Sequence, residues 1–180
     1  GEEEIILDAF KKIYKQLPNS LLIIVPRHLE RFSKVKQIIK NSGLAFATRS
    51  KKSEVTDNIQ VLLGDTIGEL NFLYSLADVA FVGGSLIDHG GQNLLEPSAQ
   101  SLALLSGPSL RNFSDISDQL IRKKALKIVH SADEISEQFL GLIDNSVILQ
   151  SKGKAALEVF TENRGALEII FDHLSIPLNS

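Results

Sequence analysis

Residues 79–99 read VAFVGGSLIDHGGQNLLEPSA, an apolar run followed by two glycine pairs and a short segment of helical character. The apolar run at 79–82 predicts a buried strand, and residues 92–100 are predicted to form a helix. Glycine adopts positive φ and lets a ligand approach the backbone closely. A strand, a glycine-rich loop and a helix in this order place unpaired backbone N–H groups in front of an anion.

The predicted helix after the second glycine pair carries Glu96 in its early part. A carboxylate does not bind an anion, but it accepts hydrogen bonds from a neutral polyol such as a ribose. Phosphate and ribose together indicate a nucleotide, and the alternative is a tight strand-to-helix turn with no ligand. The stretch matches neither G-x-G-x-x-G nor G-x-x-x-x-G-K-[ST], and neither pattern occurs elsewhere in the sequence.

Outward from this stretch, apolar runs and helical periodicities alternate along the whole chain. Strands are predicted at 21–25, 44–48, 59–63, 79–82, 102–105 and 126–129. Helices are predicted at 2–17, 30–41, 67–76, 92–100, 112–123, 131–143, 146–160 and 165–174. Ser131 and Glu134 form the capping box of the helix at 131–143. Short apolar strands that alternate with helices predict an α/β fold, a doubly wound parallel sheet of the Rossmann-like type.

Ligands of such sheets bind beyond the carboxyl ends of the strands. Polar or glycine residues follow several predicted strands at that edge, namely Arg27 and His28, Asp65 and Thr66, Gly83 to Ser85, and Gly107. These groups follow separate strands and are nevertheless all expected at the same edge. Their common location supports a ligand site there more strongly than any single motif does.

The composition narrows the class of protein. The chain has 180 residues, 43% of them hydrophobic, and a net charge of −3, which indicates one globular domain and gives no support for nucleic-acid binding. It has no cysteine, which excludes disulfides and thiolate metal sites, and no apolar run near the roughly 20 residues of a membrane-spanning helix. It has no methionine and begins at Gly1, so we interpret it as a piece of a longer protein.

Several candidate side chains admit a second interpretation. Arg27 suits a phosphate or a carboxylate, or is a solvated loop residue. His28 donates to a phosphate or caps the helix that follows. Asp65 and Thr66 are most simply helix caps. Ser85 offers its N–H and hydroxyl to a phosphate, or its hydroxyl bonds its own backbone.

Three more polar residues are candidates at the same edge. Asn93 and Glu96 are one helical turn apart and share a face, although Asn93 also fits the first turn of the helix. Glu69 is expected to face the crevice, and His89, between the glycine pairs, either contacts a ligand or is a loop residue, which we favour. The sequence contains no carboxylate pair of the glycosidase type, no metal-ligand cluster and no G-x-S-x-G nucleophile elbow.

Four segments together resemble one enzyme family. They are VPRH at 25–28, GDTIGELNFLYSLADVAFVGGSL at 64–86, GGQNLLEPSA at 90–99 and SGPSLRNF at 106–113. In this order they resemble the bacterial 3-deoxy-D-manno-octulosonic acid (Kdo) transferases of lipopolysaccharide assembly, from Gly1 to about Leu174. The chain departs from the family at Gln92 and Ser109, where histidines are usual, and at Ala103, so the roles of those histidines are not transferred.

The resemblance implies a two-domain GT-B glycosyltransferase, of which residues 1–180 are the C-terminal, sugar-nucleotide-binding domain. This domain would hold the donor CMP-Kdo without a cofactor or a metal ion. The N-terminal domain would supply the catalytic base and bind the lipid A precursor at the cytoplasmic face of the bacterial inner membrane. Membrane association would then belong to the full-length protein alone. Residues 146–180 are expected to form a helical extension that packs toward the N-terminal domain.

Carried over residue by residue, the resemblance implies that Arg27 and the loop of Gly83, Gly84 and Ser85 lie near the donor phosphate and the Kdo carboxylate. It implies that Asn93 and Glu96 contact the donor, with Glu96 on the ribose. The rest of the expected substrate-binding set is His28, Thr66, Glu69 and Gly91.

The expected reaction is an inverting transfer. As the keto-sugar leaves CMP through an oxocarbenium-like state, negative charge builds on the phosphate, and Arg27 and the loop N–H groups would stabilise it. We expect the chain alone to bind CMP or CMP-Kdo weakly and to transfer nothing. The alternatives are the donor domain of another GT-B enzyme, such as a UDP-sugar transferase or an epimerase, and a non-catalytic sugar-nucleotide-binding module.

Overall fold

The computed structural model describes residues 1–51, 56 and 58–174, in which short strands alternate with helices. The strands are β1 (Leu22–Ile24), β2 (Phe46–Thr48), β3 (Val61–Leu63), β4 (Val79–Val82), β5 (Ala103–Ser106) and β6 (Leu126–Ile128). The helices are α1 (Glu3–Gln16), α2 (Phe32–Asn41), α3 (Leu70–Ser75), α4 (Leu95–Ala99), α5 (Ser114–Arg122), α6 (Ala132–Ile143) and α7 (Ser146–Leu174).

Hydrogen bonds among the described residues divide the strands into two three-stranded parallel sheets, in the orders β1-β3-β2 and β4-β5-β6. Ile23 is paired with Leu62 in the first sheet, and Ala80 with Leu104 in the second. The predicted α/β class with parallel strands is confirmed, and each predicted strand is found close to its predicted place.

Strand β5 explains why helices cover both faces of the second sheet. Its four side chains are all buried. Leu104 packs with Leu120 of α5 and Val159 of α7, whereas Ala103 and Leu105 pack with α1 and α6. Because successive side chains of a strand point to opposite faces, these residues bind one helical layer on each side. The result is the three-layer arrangement of a doubly wound fold.

Helix α1 packs against both sheets. Its Leu7 and Phe10 share a core with Val61 and Leu63 of β3, on the first sheet. Its Ala9 is buried with residues of β5 and α6, on the second. Since no strand pairing joins the two sheets within the described residues, α1 is one of the elements that hold them together.

Two helices, α3 and α4, begin three residues later than the sequence predicts. Helix α3 begins at Leu70 rather than at residue 67, because Gly68 has a φ of 80° and cannot belong to a right-handed helix. Helix α4 begins at Leu95 rather than at residue 92, because Asn93 Oδ1 accepts the N–H of Leu95 at 3.0 Å. Such a side-chain bond replaces the helical one and marks the residue as outside the helix.

The two helices predicted at 146–160 and 165–174 are one helix, α7. Asn163 lies where the break was expected, and its Nδ2 donates to the Val159 carbonyl at 2.8 Å and to Gln119 Oε1 of α5 at 2.9 Å. This contact with α5 stabilises the helix through a polar segment. Ala156 and Val159 are fully buried against the second sheet, and the end of the expected extension, beyond residue 174, lies outside the described residues.

No helix in the described part of the chain has the length and hydropathy that crossing a bilayer requires.

Candidate functional site

Hydrogen bonds beyond the strand ends join neighbouring strands at the carboxyl edge of each sheet. The Gly64 N–H, after β3, donates to the Ile24 carbonyl at the end of β1 at 2.8 Å. The Gly107 N–H, after β5, donates to Ser85 Oγ, after β4, also at 2.8 Å. A Cβ on Gly107 would lie 2.4 Å from the backbone of Ser85. Only glycine therefore allows the two segments to approach this closely.

The N–H groups of Gly84, Ser85 and Leu86, hereafter the amide cluster, all donate to the carboxylate of Glu2. The N–O distance is 2.5 Å from Gly84 to Oε2 and 2.8 Å from Ser85 to Oε1. Glu2 is only 8% exposed, and a buried carboxylate is stable when hydrogen bonds replace its water. The sequence predicted an anion in front of these groups, and the structure has a side chain of the same protein there.

Ser85 is fully buried, and its hydroxyl has two backbone partners. It donates to the Val82 carbonyl at 2.8 Å and accepts the Gly107 N–H. Its own carbonyl accepts the N–H of Ser109 at 2.9 Å. These contacts match the alternative interpretation of Ser85, a hydroxyl that bonds its own turn. In this conformation, neither its N–H nor its hydroxyl proton faces a free anion.

The second glycine pair is attached to the first. Gly91 donates its N–H to the Gly84 carbonyl at 2.8 Å, and Gly90 donates to Ser109 Oγ at 3.1 Å. Ser109 in turn donates to Asp88 Oδ1, which also binds the Arg111 guanidinium. The hydrogen bonds from Arg111 and Ser109 hold the pKa of the exposed Asp88 carboxyl below its ordinary value. The segment that follows β5 therefore holds the glycine-rich loop in place.

Asn93 and Glu96 lie together as predicted, although Asn93 precedes helix α4 instead of standing one turn before Glu96 within it. Asn93 Nδ2 donates to Glu96 Oε1 at 3.0 Å, while Oε2 accepts no hydrogen bond from the described residues. Both side chains are half-buried. Burial of the Tyr74 hydroxyl, together with the negative charge of Glu96, raises the pKa of Tyr74 to about 12. Glu96 thus has one carboxylate oxygen held by Asn93 and one that can accept from a ligand.

Thr66 and Glu69 belong to a network that the sequence did not predict. Glu69 accepts two hydrogen bonds from Arg49, at 3.1 Å from Nε and 2.8 Å from Nη2, and a third from the Thr66 hydroxyl. The Arg49 guanidinium also lies 5.9 Å from the centre of the Phe72 ring. Since Glu69 is already bound to a guanidinium, it is a weaker candidate for a ligand than Glu96.

The helix-cap predictions for Asp65 and Thr66 are wrong. Asp65 accepts the N–H of Ser50 at 2.8 Å and its hydroxyl at 2.6 Å. Thr66 donates to Glu69, which is itself the residue before α3. The reason is the positive φ of Gly68 described above, which separates both residues from the first turn of the helix.

Arg27 and His28 are both exposed, directly after β1. Within the part of the chain that is described, neither side chain makes a hydrogen bond or an ion pair. His28 precedes a single 3-10 turn, but its side chain does not cap that turn. The Arg27 guanidinium therefore has no carboxylate partner among the described residues, which leaves it available to an anionic ligand.

Sequence reasoning missed Glu2, Arg49 and the pair of Asp88 and Arg111. Each acts through a partner distant in the sequence, and no local pattern points to such a contact. The positive charge of Arg49 right after the β2 strand was the one available signal, since it parallels Arg27 after β1. Within the described residues, no group of three His, Asp or Glu side chains is arranged to hold a metal ion.

No protein-family model matches the chain. It is 40% identical over 175 residues to the 3-deoxy-D-manno-octulosonic acid transferase of Haemophilus influenzae, a match that covers 97% of this chain and 41% of the relative. It is 34% identical over 178 residues to the transferase of the same name from Bordetella pertussis, covering 97% and 42%. The chain thus spans about two fifths of the length of these curated relatives.

A solved structure shows the same fold. The C-terminal CMP-Kdo binding domain of WaaA from Acinetobacter baumannii superimposes with a TM-score of 0.83 at 34% sequence identity. The match covers 88% of this chain and 82% of that domain. The similarity therefore extends over nearly a whole domain of known structure.

Proposed function

This chain belongs to the family of 3-deoxy-D-manno-octulosonic acid (Kdo) transferases, and on that premise we propose that it binds the sugar-nucleotide donor CMP-Kdo. The observation that carries the proposal is the likeness to the WaaA domain, which extends over most of both chains. The polar groups at the carboxyl edge of the sheets support it, because nucleotides bind at this edge in doubly wound folds.

We assign the donor-facing roles to residues with free hydrogen-bonding capacity. Arg27 is exposed and without an ion pair in the described part of the chain, which suits the phosphate or the Kdo carboxylate. Glu96 Oε2 is available to accept from ribose hydroxyls, while Asn93 orients the carboxylate through Oε1. His28 completes this set. Gly91, whose N–H is bound to the Gly84 carbonyl, contributes by positioning the loop beside the donor, and Thr66 and Glu69 contribute through their network with Arg49.

In the longer protein, this domain would serve an inverting transfer of Kdo to a lipid A precursor at the cytoplasmic face of the inner membrane. The bond from the anomeric carbon of Kdo to the CMP phosphate breaks, and negative charge grows on the phosphate. Arg27 would stabilise that charge in the transition state. The base that takes the proton of the acceptor hydroxyl would come from outside this chain.

The test is a calorimetric titration of the 180-residue chain with CMP, with UDP as the competing nucleotide. We expect CMP to bind and UDP to compete poorly. Glu96→Ala is expected to weaken CMP binding by roughly 10-fold to 100-fold, because a hydrogen bond to a charged group contributes about 1.5–3 kcal/mol.

Glu137→Ala is the matched control, since Glu137 is exposed on α6. It should bind CMP as the parent chain does. Unchanged affinity in Glu96→Ala would remove Glu96 from the site. Preference for UDP over CMP would assign the domain to another type of GT-B enzyme, and binding of neither nucleotide would contradict the proposed function.

A further inference from the structure

Glu2 is the one charged residue that is buried in the described part of the chain. It is 8% exposed and accepts three backbone hydrogen bonds from the amide cluster, which belongs to a loop more than eighty positions away in the sequence. A carboxylate in front of several N–H groups is a strong acceptor, because each bond to an ionised oxygen is stronger than a neutral one. The loop is thus organised around an internal anion.

The first glycine pair lies close against this carboxylate. A Cβ on Gly83 would lie 3.0 Å from Glu2 Oε2, a contact tighter than nearly all real ones. Gly84 has a φ of 72°, a conformation that favours glycine. The approach of Glu2 therefore accounts for Gly83, and the positive φ accounts for Gly84, without a ligand.

Contacts of Gly84 connect the amide cluster to the residues that we propose face the donor. The Gly84 carbonyl accepts the Gly91 N–H at 2.8 Å, and a Cβ on Gly84 would lie 3.5 Å from Gln92 Cγ. Asn93 comes next in the chain and holds Glu96 Oε1 at 3.0 Å. A shift of the first glycine pair would therefore displace the second pair and, with it, the Asn93 side chain.

We infer that Glu2 is a positioning residue of the donor site, and that its carboxylate fixes the glycine-rich loop while the donor phosphate binds outside the amide cluster. The inference rests on the proposed function and deepens it. It assigns the amide cluster to Glu2 and leaves Arg27, Asn93 and Glu96 to the donor.

Three features oppose displacement of Glu2 by the phosphate. The backbone of Glu2 is fixed by its carbonyl, which accepts the Ile6 N–H at 3.0 Å, and by the packing of Leu7 against β3. The adjacent Glu3 accepts a hydrogen bond from Arg31 at 2.7 Å, which ties the same turn to the segment after β1. A phosphate next to the cluster would also meet the negative charge of Glu2, and like charges repel strongly where water is scarce.

The test compares Glu2→Gln with Glu4→Gln, its exposed neighbour on α1, in the isotope-labelled 180-residue chain. Glutamine keeps the shape but has an NH₂ group, which cannot accept from an N–H. In Glu2→Gln we expect the amide resonances of Gly84, Ser85, Leu86 and Gly91 to shift or broaden, and CMP affinity to fall about tenfold. Glu4→Gln should leave both unchanged.

A rescue experiment separates positioning from general stability. In Glu2→Ala, acetate can enter the space left by the side chain and accept from the amide cluster. We expect acetate to restore the amide resonances and the CMP affinity together, in a concentration-dependent manner, whereas chloride at equal ionic strength should not.

The parent chain decides the location of the phosphate even if the Glu2 variants fail to fold. On titration with CMP, the side-chain carboxyl signal of Glu2 should stay unchanged. A large shift of that signal together with the amide cluster would mean that the phosphate displaces Glu2, which overturns the inference. The inference would also be overturned if the amide resonances of the amide cluster and of Gly91 were the same in Glu2→Gln and Glu4→Gln. The comparison of the amide spectra of the two variants needs no nucleotide. Failure of CMP to bind would therefore refute the proposed function without deciding the role of Glu2.

Discussion

At the scale of single residues, Glu96 influences the site through its charge as well as through its oxygens. Together with burial, that charge raises the pKa of Tyr74 to about 12 from an ordinary value of 10.0. The phenol is therefore protonated in the folded protein under conditions where an unfolded chain would ionise it. This coupling gives an optical measure of the environment of Glu96 that needs no ligand.

We predict that Glu96→Gln lowers the pKa of Tyr74, because the amide lacks the negative charge that opposes ionisation of the phenol. The measurement is the ultraviolet absorbance of phenolate as a function of pH, with Tyr74→Phe used to subtract Tyr14. The same alkaline midpoint for Tyr74 in parent and variant would mean that Glu96 and Tyr74 are not close in solution.

The sign of the pH effect on stability follows from the raised pKa. Below pH 10 the tyrosine is protonated in both the folded and the unfolded states, so its full contribution is present. As the pH rises from 10 to 12, only the unfolded state loses the proton, and the free energy of unfolding falls. We expect a loss of about 2 kcal/mol over this range, measured by urea unfolding, and a smaller loss in Tyr74→Phe.

Residue-level predictions from the sequence succeeded where the partner is close in the chain. The capping box at the start of α6 is confirmed, because Ser131 Oγ accepts the Glu134 N–H at 3.2 Å. The Asn93 and Glu96 side chains meet as their spacing predicts. Glu2 was interpreted only as part of a helix, since its partners in the loop after β4 become neighbours only in the folded chain.

At the scale of the elements, helix α7 lies unusually close to the loop before β5. A Cβ on Gly153 would be 2.0 Å from the Ser101 carbonyl oxygen. Gly141 of α6 is also in a helix, but it is exposed and has no neighbour within 4 Å of the corresponding position. The two glycines form a matched pair, since both are helical and only one is in close contact.

We predict that Gly153→Ala destabilises the protein and that Gly141→Ala stabilises it. The extra methyl group at position 153 must push α7 away from the second sheet, which costs about 1–3 kcal/mol. At position 141 alanine restricts the unfolded chain and gains about 0.5–1 kcal/mol. Urea unfolding of the two variants measures the difference, and equal stabilities would contradict the packing of α7 described above.

Element boundaries were harder to predict than element types. Strand β4 was predicted at its observed bounds because its apolar run ends in a glycine pair, an unambiguous local signal. The split of α7 was wrong because the polar residues near Asn163 broke the apolar periodicity, while the bond to Gln119 on α5 kept the helix intact. A contact between elements overrode the local pattern in that case.

At the scale of the whole molecule, the chain has the edge that we propose binds the donor, but it spans only about two fifths of the length of its curated relatives. Doubly wound folds bind nucleotides on one side, and a transfer reaction also needs an acceptor and a base opposite them. The predicted class of fold is confirmed, because alternation of apolar runs and helices is a property of the whole sequence and tolerates errors at single boundaries.

We predict that the 180-residue chain binds CMP-Kdo but transfers no Kdo to an acyl-disaccharide acceptor. Transfer should appear in a full-length protein that carries the same residues, and Arg27→Ala in that protein should lower kcat more than it raises KM, since its charge is needed most in the transition state. Release of CMP is the measurement. Robust transfer by the chain alone would show that it already contains the base.

The burial of Glu2 also affects enzyme engineering. A chimera that joins this donor half to the acceptor half of another transferase needs its crossover point upstream of Glu2. A crossover within the first turn of α1 would keep the entire glycine-rich stretch and still lose the side chain around which that stretch is folded. Junctions chosen from loop motifs alone would therefore overlook a contact between the start of the chain and the loop after β4.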